Sequence, residues 1–211
     1  MPNEASELSD LLGQLAGTVI YSRQHRLAPA HRVQLGETLE SIAGVYQVPW
    51  QLLAKINGLP SPANVTVGQE LKVIQGPFSA VVSTERRELV VLVGGRYAGR
   101  FAVGIGRDAQ VVEGEWSVNQ KQINPAYNGP SGTIAADDPT NPLGEHLIGL
   151  SAPSAAGASS SFGVQSIGIH GTHDPSSIQA DDPRGFVRLA PRDAEDVYDI
   201  LTIGSKVTIR R

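Results

Sequence analysis

Residues 166–189 read SIGIHGTHDPSSIQADDPRGFVRL. A short strand at 168–170 ends on His170. A loop carrying Thr172, His173, Ser176 and Ser177 follows, and a glycine turn at Gly185 leads into Phe186-Val187-Arg188. Hydroxyls in such a loop become nucleophiles only beside a positioned base. Nothing in the spacing supplies one, and no Gly-x-Ser-x-Gly elbow occurs. His170 and His173 lack the His-Glu-x-x-His helix or cysteine set that would complete a zinc site, so no metal site is expected. The 211-residue chain contains no cysteine at all.

The stretch resembles the active-site signature of the L,D-transpeptidases, which cross-link bacterial peptidoglycan. In that family Ile-His-Gly-Thr, or a close variant, leads to Ser-(His/Lys/Arg)-Gly-Cys-(Ile/Val)-Arg. His170, Gly171, Thr172, Gly185, Val187 and Arg188 match, and the sixteen-residue step from His170 to Phe186 fits the family spacing. Phe186 stands where the family has its cysteine, and Pro183 where it has Ser or Thr. Arg184 takes a position often held by a second histidine, although Arg occurs there in relatives.

The resemblance implies that His170, Gly185, Phe186 and Arg188 occupy the catalytic positions and that Gly171, Thr172 and Arg184 border the substrate. The family chemistry is attack of a thiolate on a stem-peptide carbonyl, with a histidine handling the proton and backbone N–H groups receiving the oxyanion. A phenylalanine ring has no nucleophilic atom and would fill the acyl pocket. Loss of a nucleophile costs on the order of a millionfold in turnover, so the chain is expected to be inactive. His170 then serves as a hydrogen-bonded residue holding the loop. Arg188 presents a planar donor fork that suits either a stem-peptide carboxylate or a loop carbonyl.

Outward from this stretch, residues 88–93 and 96–103 read as strands joined by Gly94-Gly95, a link suited to a tight hairpin. Apolar residues on both sides of 88–93 predict a strand covered on both faces. Further strands are expected at 115–119, 147–150 and 206–210, and a helix at 193–201. Many short strands with turn punctuation argue for a mainly β sandwich or barrel-like domain. Residues 104–109, GIGRDA, superficially match a dinucleotide fingerprint, but no helix opens there, and the glycines read as turn residues. The family's Thr-Pro-x-Gly-x-Phe phrase matches here at Gly114 and Trp116. Asn124-Pro125-Ala126-Tyr127 and Asn141-Pro142-Leu143-Gly144 resemble the family's cleft loops, which implies a substrate-covering lid with Tyr127 and His146 facing substrate. The SAPSAAGASSS run at 151–161 is expected to be mobile.

Ahead of this lies a compact βααβ pattern. A strand at 32–34 is followed by a turn at Gly36 and a helix capped by Thr38. Leu39, Ile42, Ala43 and Tyr46 line that helix, and Pro49 suits the first turn of a second one. Leu52, Leu53 and Ile56 form its apolar face, Asn57-Gly58 offers a left-handed cap, and a strand at 71–74 closes the module. Gly36-Glu37-Thr38-Leu39, Asn57 and Val67-Gly68-Gln69-Glu70-Leu71 resemble the phrases of a lysin motif (LysM) domain. Such domains hold N-acetylglucosamine chains in a shallow groove, which implies glycan contacts at Gly36, Glu37, Thr38, Asn57, Gly58 and Leu59. Turn and cap chemistry accounts for each of these residues equally well.

The expected fold is therefore mainly β. Residues 76–211 would form an L,D-transpeptidase-like β-sandwich with one helix in its C-terminal region. Residues 30–75 would form the small βααβ LysM domain, and residues 1–29 an N-terminal amphipathic helix and linker. In that helix Leu8, Leu11, Leu12, Leu15 and Val19 recur at helical spacing, a face expected to dock on the next domain.

A formal net charge of −4 gives no footing for nucleic acid, and no stretch is long enough to span a bilayer. The N-terminus lacks a basic region and a continuous apolar core, so no export signal is expected within this chain. Peptidoglycan lies outside the cytoplasm, so the expected place is the cell envelope, periplasmic or extracytoplasmic. Expected partners are glycan strands and stem peptides, with no cofactor. Two alternatives stand beside an inactive binding protein: an L,D-transpeptidase whose native cysteine has been substituted at position 186, and a non-catalytic partner of an active paralogue.

Overall fold

The computed structural model describes residues 2–61, 65–106, 113–129, 132–152, 167–178 and 186–211. The chain divides into two compact units, Met1–Ser79 with Val91–Arg100, and Ala80–Val90 with Phe101–Arg211.

The first unit opens with helix α1 (Pro2–Ala16) and a π-helical turn, Gly17–Tyr21. The expected docking face is not packed: Leu11 is 61% and Leu15 57% exposed, and Ala16 and Ile20, a turn further on, are buried instead. Periodicity identified the helix, but burial depends on what packs against it. Leu12 and Leu15 line one wall of an apolar groove of about 380 Å³ with Ile74, Val93 and Tyr97.

Two-residue strands β1 (His31–Arg32) and β2 (Glu70–Leu71) pair antiparallel, shorter than the expected 32–34 and 71–74. Between them lie α2 (Leu39–Tyr46) and α3 (Trp50–Asn57). Thr38 caps α2 through a reciprocal box with Ser41, its Oγ1 accepting from Ser41 N at 3.2 Å and its N–H donating to Ser41 Oγ at 3.0 Å. Pro49 is the N-cap of α3, one place ahead of its first turn. Gly58, at φ 64°, ends α3 with Leu59 in a Schellman arrangement: Gly58 N bonds Lys55 O and Leu59 N bonds Ala54 O. Leu39, Ile42, Ala43, Leu52, Leu53 and Ile56 are buried as their spacing predicts.

The remaining strands are β3 (Phe78–Ser83), β4 (Glu88–Val93), β5 (Arg96–Ile105), β6 (Gly114–Ile123), β7 (Tyr127–Gly129), β8 (Gly132–Ile134), β9 (His146–Ser151), β10 (Ile167–His170), β11 (Val187–Leu189) and β12 (Lys206–Arg210). Eight of them close a barrel in the order β10-β11-β5-β4-β3-β12-β6-β9, while β7 and β8 form a separate ribbon. The mainly β expectation holds, with the sheet closed on itself. Gly94 and Gly95 both take positive φ, as a tight hairpin of β4 and β5 requires. On β4 one face (Leu89, Val91, Val93) is buried, and Val90 and Leu92 on the other are only half-covered.

In the second unit Val103, Val187, Leu189 and Ile169 fill the core, each stabilising the fold by about 1.5–3 kcal/mol. Helix α4 (Pro191–Ile200), with Pro191 in its first turn, buries Ala194, Val197 and Ile200. Gly104 lies inside β5, not in a turn. It pairs with Arg188, and a Cβ at 104 would sit 2.8 Å from the Arg188 Nη2 and 2.8 Å from Ser177 O. The mobile run expected at 151–161 falls, from residue 153 on, outside the described residues.

Candidate active site and glycan-binding surface

Strands β10 and β11 run parallel, in a register that sets Ile169 beside Val187 and His170 beside Arg188. Ile169 and Val187 point into the core, so alternation turns His170 and Arg188 to the opposite face, where loops cover them. His170 is 3% and Arg188 2% exposed.

The His170 Nδ1 lies 2.6 Å from Gly171 O. A carbonyl only accepts, so Nδ1 carries the proton and the lone pair sits on Nε2. That Nε2 is buried with no hydrogen-bond partner among the described residues. Burial pushes the His170 pKa down to about 4; the Gly171 carbonyl resists this and the nearby Arg188 charge adds to it. The ring is therefore neutral near pH 7, with a buried acceptor that no described residue engages.

Arg188 donates through Nη2 to Ser177 O at 3.3 Å, so of the two expected partners the loop carbonyl is engaged. The missing side chain at Gly104 leaves room for the guanidinium. Phe186 is half-buried just ahead of β11, and its carbonyl accepts from Gly106 N at 2.8 Å. This bond extends the β5–β11 ladder by one step, which keeps Phe186 on the same side of the sheet as Arg188. Gly185 and Arg184 lie outside the described residues.

The loop hydroxyls are committed to the loop itself. Ser177 Oγ donates to Asp174 O at 2.7 Å, and Thr172 Oγ1 accepts from Asp174 N at 3.1 Å. Ser176 Oγ donates to Asp174 Oδ1 at 2.5 Å.

Beside His170 opens a cleft of about 470 Å³, lined by Gly144, His146, Gly171, Thr172 and His173 among others. Asn124 and residues between Ala136 and Gly144, all of the 124–144 segment, form one wall. Gly144 packs so closely on the Gly171–Thr172 backbone that a Cβ would stand 2.9 Å from Thr172 N. Gly171 N donates to His146 O at 3.0 Å, and His173 Nδ1 donates to Asn141 O at 3.1 Å. Asn141 pins this segment from within. Its amide, 2% exposed, donates to Pro125 O at 2.8 Å and Ala135 O at 3.1 Å, while its oxygen accepts from Leu143 N at 3.0 Å.

The cleft lining thus brings together the expected residues His146, Gly171 and Thr172. Tyr127 is half-buried on β7, opposite Ile134, and does not line the cleft. The His146 ring also packs on Tyr198 of α4 at 4.9 Å, and Lys121 lies 4.1 Å over the Tyr198 ring and donates to Tyr198 O at 2.6 Å. Burial lowers the Lys121 pKa, and Asp199 partly offsets it. Sequence reasoning missed Lys121, Tyr198 and the role of Asn141; only the Asn-Pro-Leu-Gly phrase hinted at the last.

In the βααβ module Gly36 is exposed at φ 86°. The Glu37 carboxylate accepts from Gln34 N at 2.7 Å and His31 Nε2 at 2.8 Å, contacts that lower its pKa. Asn57 ties α3 to β2: its amide donates to Leu53 O and Lys72 O, both at 2.9 Å, and its oxygen accepts from Lys72 N at 2.8 Å. Thr38 and Asn57 therefore serve the fold through their side chains.

A profile of the YkuD L,D-transpeptidase catalytic domain matches residues 77–209, and one of the LysM domain matches residues 31–73. The chain belongs to the YkuD family of L,D-transpeptidase catalytic domains and carries a LysM domain ahead of that domain. It is 28% identical over 187 residues to a protein of Bacillus licheniformis that bears the name L,D-transpeptidase YkuD, covering 85% of this chain and 97% of that one. The protein of the same name in Bacillus subtilis (strain 168) is 27% identical over 190 residues, 86% of this chain and 98% of that one. Among solved structures, L,D-transpeptidase 3 from Mycobacterium tuberculosis in complex with a faropenem-derived adduct is similar with a TM-score of 0.47 and 16% identity, over 69% of this chain and 66% of that chain.

Proposed function

We propose that this chain is a peptidoglycan-binding protein of the cell envelope that holds stem peptides in an L,D-transpeptidase site without transferring acyl groups. The observation that carries the reading is a neutral, buried His170 with an unclaimed Nε2, in a chain with no cysteine anywhere to use it. Phe186 occupies the nucleophile's position, and no hydroxyl in the neighbouring loop bonds to the ring among the described residues. The LysM domain supplies the glycan grip through the loops at Gly36–Thr38 and Asn57–Leu59. Catalytic-position residues His170, Gly185, Phe186 and Arg188 then shape a stem-peptide site, which His146, Gly171 and Thr172 border.

Purified protein should sediment with isolated sacculi and leave their stem-peptide composition unchanged. Failure to sediment rules out the binding role, and new cross-links rule out inactivity.

A second reading, an acyltransferase with its cysteine substituted, draws support from the same Nε2, which stands ready for a thiol. Incubation with a carbapenem followed by intact-mass measurement, on this chain and on Phe186→Cys, separates the two. An adduct on Phe186→Cys alone means one residue silences the site, and no adduct on either favours a long-standing binding protein.

A further inference from the structure

Around Gly58 the first unit closes a circuit of contacts. The Asn57 amide bonds the backbone of Lys72 in both directions, at 2.9 and 2.8 Å. The buried Lys72 side chain reaches back to the N-terminal arm, its Nζ donating to Val19 O at 2.8 Å and Ser22 O at 2.5 Å. These carbonyls belong to the π-helical turn and the residue after it, where an ammonium is favoured by the exposed carbonyl ends. Arg23 follows Ser22 and returns to Gly58, where a Cβ would collide with the Arg23 guanidinium. Gly58 has no side chain, so the planar group lies against its backbone. Arg23 is exposed, and no ion pair among the described residues engages it.

We propose that Arg23 is a specificity contact of the LysM glycan site, where its guanidinium receives a carboxylate carried by the muramyl substituent of a bound strand. This rests on the reading of Gly58 and Leu59 as the groove's border. An N-acetylglucosamine chain is neutral and offers the guanidinium nothing ionic. Alternate sugars of peptidoglycan bear a lactyl-peptide substituent rich in carboxylates, and a planar fork takes a carboxylate through two parallel N–H bonds. The position is built: the Lys72 clamp fixes the backbone on one side of Arg23, and the bare Gly58 backbone seats its head on the other. Because the whole chain carries a formal net charge of −4, attraction for an anionic strand is local to this rim. The arm thus belongs to the binding surface, although it precedes the residues that match the LysM profile.

The test compares the wild-type chain with Arg23→Gln and Lys72→Met on three probes: glycan strands carrying stem peptides, the same strands after amidase treatment, and neutral chitopentaose. The wild-type chain should bind peptide-bearing strands more tightly than chitopentaose. Arg23→Gln should weaken binding to peptide-bearing strands by about three- to fivefold, the scale of an exposed charge pair, and leave chitopentaose unchanged. Lys72→Met should do the same by freeing the arm. Arg23 is exposed, so its replacement keeps the fold and decides the matter even where Lys72→Met does not fold. Amidase removes the peptide and turns the lactyl amide into a free carboxylate: a preference that vanishes on treatment assigns the anion to the peptide, and one that survives shows that the newly freed lactyl carboxylate satisfies the same fork. Tighter chitopentaose binding by Arg23→Gln would mean that the arm obstructs the groove, and equal shifts or no shift on both probes would leave Arg23 without a role; each overturns the proposal. Wild-type protein that binds neither strands nor chitopentaose would instead remove the groove reading beneath it.

Discussion

His170 and Arg188 stand side by side on parallel strands, each almost fully buried and each donating to a loop carbonyl, Gly171 O for the imidazole and Ser177 O for the guanidinium. Burial is the main cause that keeps the imidazole neutral, and the guanidinium, a fixed positive neighbour, adds to it, so the pair holds one permanent charge and one neutral ring.

That neutrality predicts a pH dependence of stability. The native His170 pKa of about 4 lies below its ordinary 6.5, so between these values the unfolded chain binds a proton that the native chain excludes. The stabilisation is fully present above pH 6.5 and is lost as pH falls toward 4. Between pH 7.5 and 5 the chain should lose about 2 kcal/mol through this group. His170→Gln should flatten the slope in urea unfolding across that range; an unchanged slope would mean that His170 titrates normally.

Gly104→Ala should destabilise the second unit by about 1–3 kcal/mol, because the new methyl would stand 2.8 Å from both the Arg188 Nη2 and the Ser177 carbonyl oxygen and force one of them to shift. Denaturant midpoints of the variant and wild type measure this. A neutral outcome would show that Arg188 can lie elsewhere.

Asn141→Ala removes three hydrogen bonds to the 124–144 segment. A loss of about 3 kcal/mol follows at roughly 1 kcal/mol per bond. Hydrogen exchange should rise at residues 125–144 and much less in β3 and β12. Uniform exchange across the barrel would contradict a local pin.

Thr38→Ala deletes one half of the capping box on α2 and should cost about 1 kcal/mol. Thr38→Asp, which retains an acceptor at the cap, should recover most of it. Thermal melts of the two variants provide the comparison.

Local chemistry made much of this fold readable in advance. The caps at Thr38 and Gly58 and the Gly94-Gly95 hairpin depend on neighbours a few residues away, so their residue types carried the structure directly. Strand β11 has three residues, too few to display a period, and its pairing with β10 depends on chain segments far apart in sequence. Gly104 read as a turn residue because a glycine in a strand looks like a breaker until the arginine that needs the space is seen. The leucine face of α1 failed in the opposite way: its period was right, but nothing in a local pattern says whether another surface will arrive to cover it. In the candidate site the residues of the His170 motif were legible because they are close in sequence. Lys121 and Tyr198 were not, because only the fold brings β6 and α4 together.

The closing pair of the barrel couples its first strand to its last, since β12 lies parallel to β3, with Val207 beside Ala80 and Ile209 beside Val82, and antiparallel to β6. On a growing polypeptide this seam cannot form until β12 has left the ribosome. Until then the nascent sheet exposes two unsatisfied rows of backbone donors and acceptors, along β3 and β6, each able to recruit a strand from a neighbouring chain. For this protein, safe folding is a matter of timing as much as of sequence.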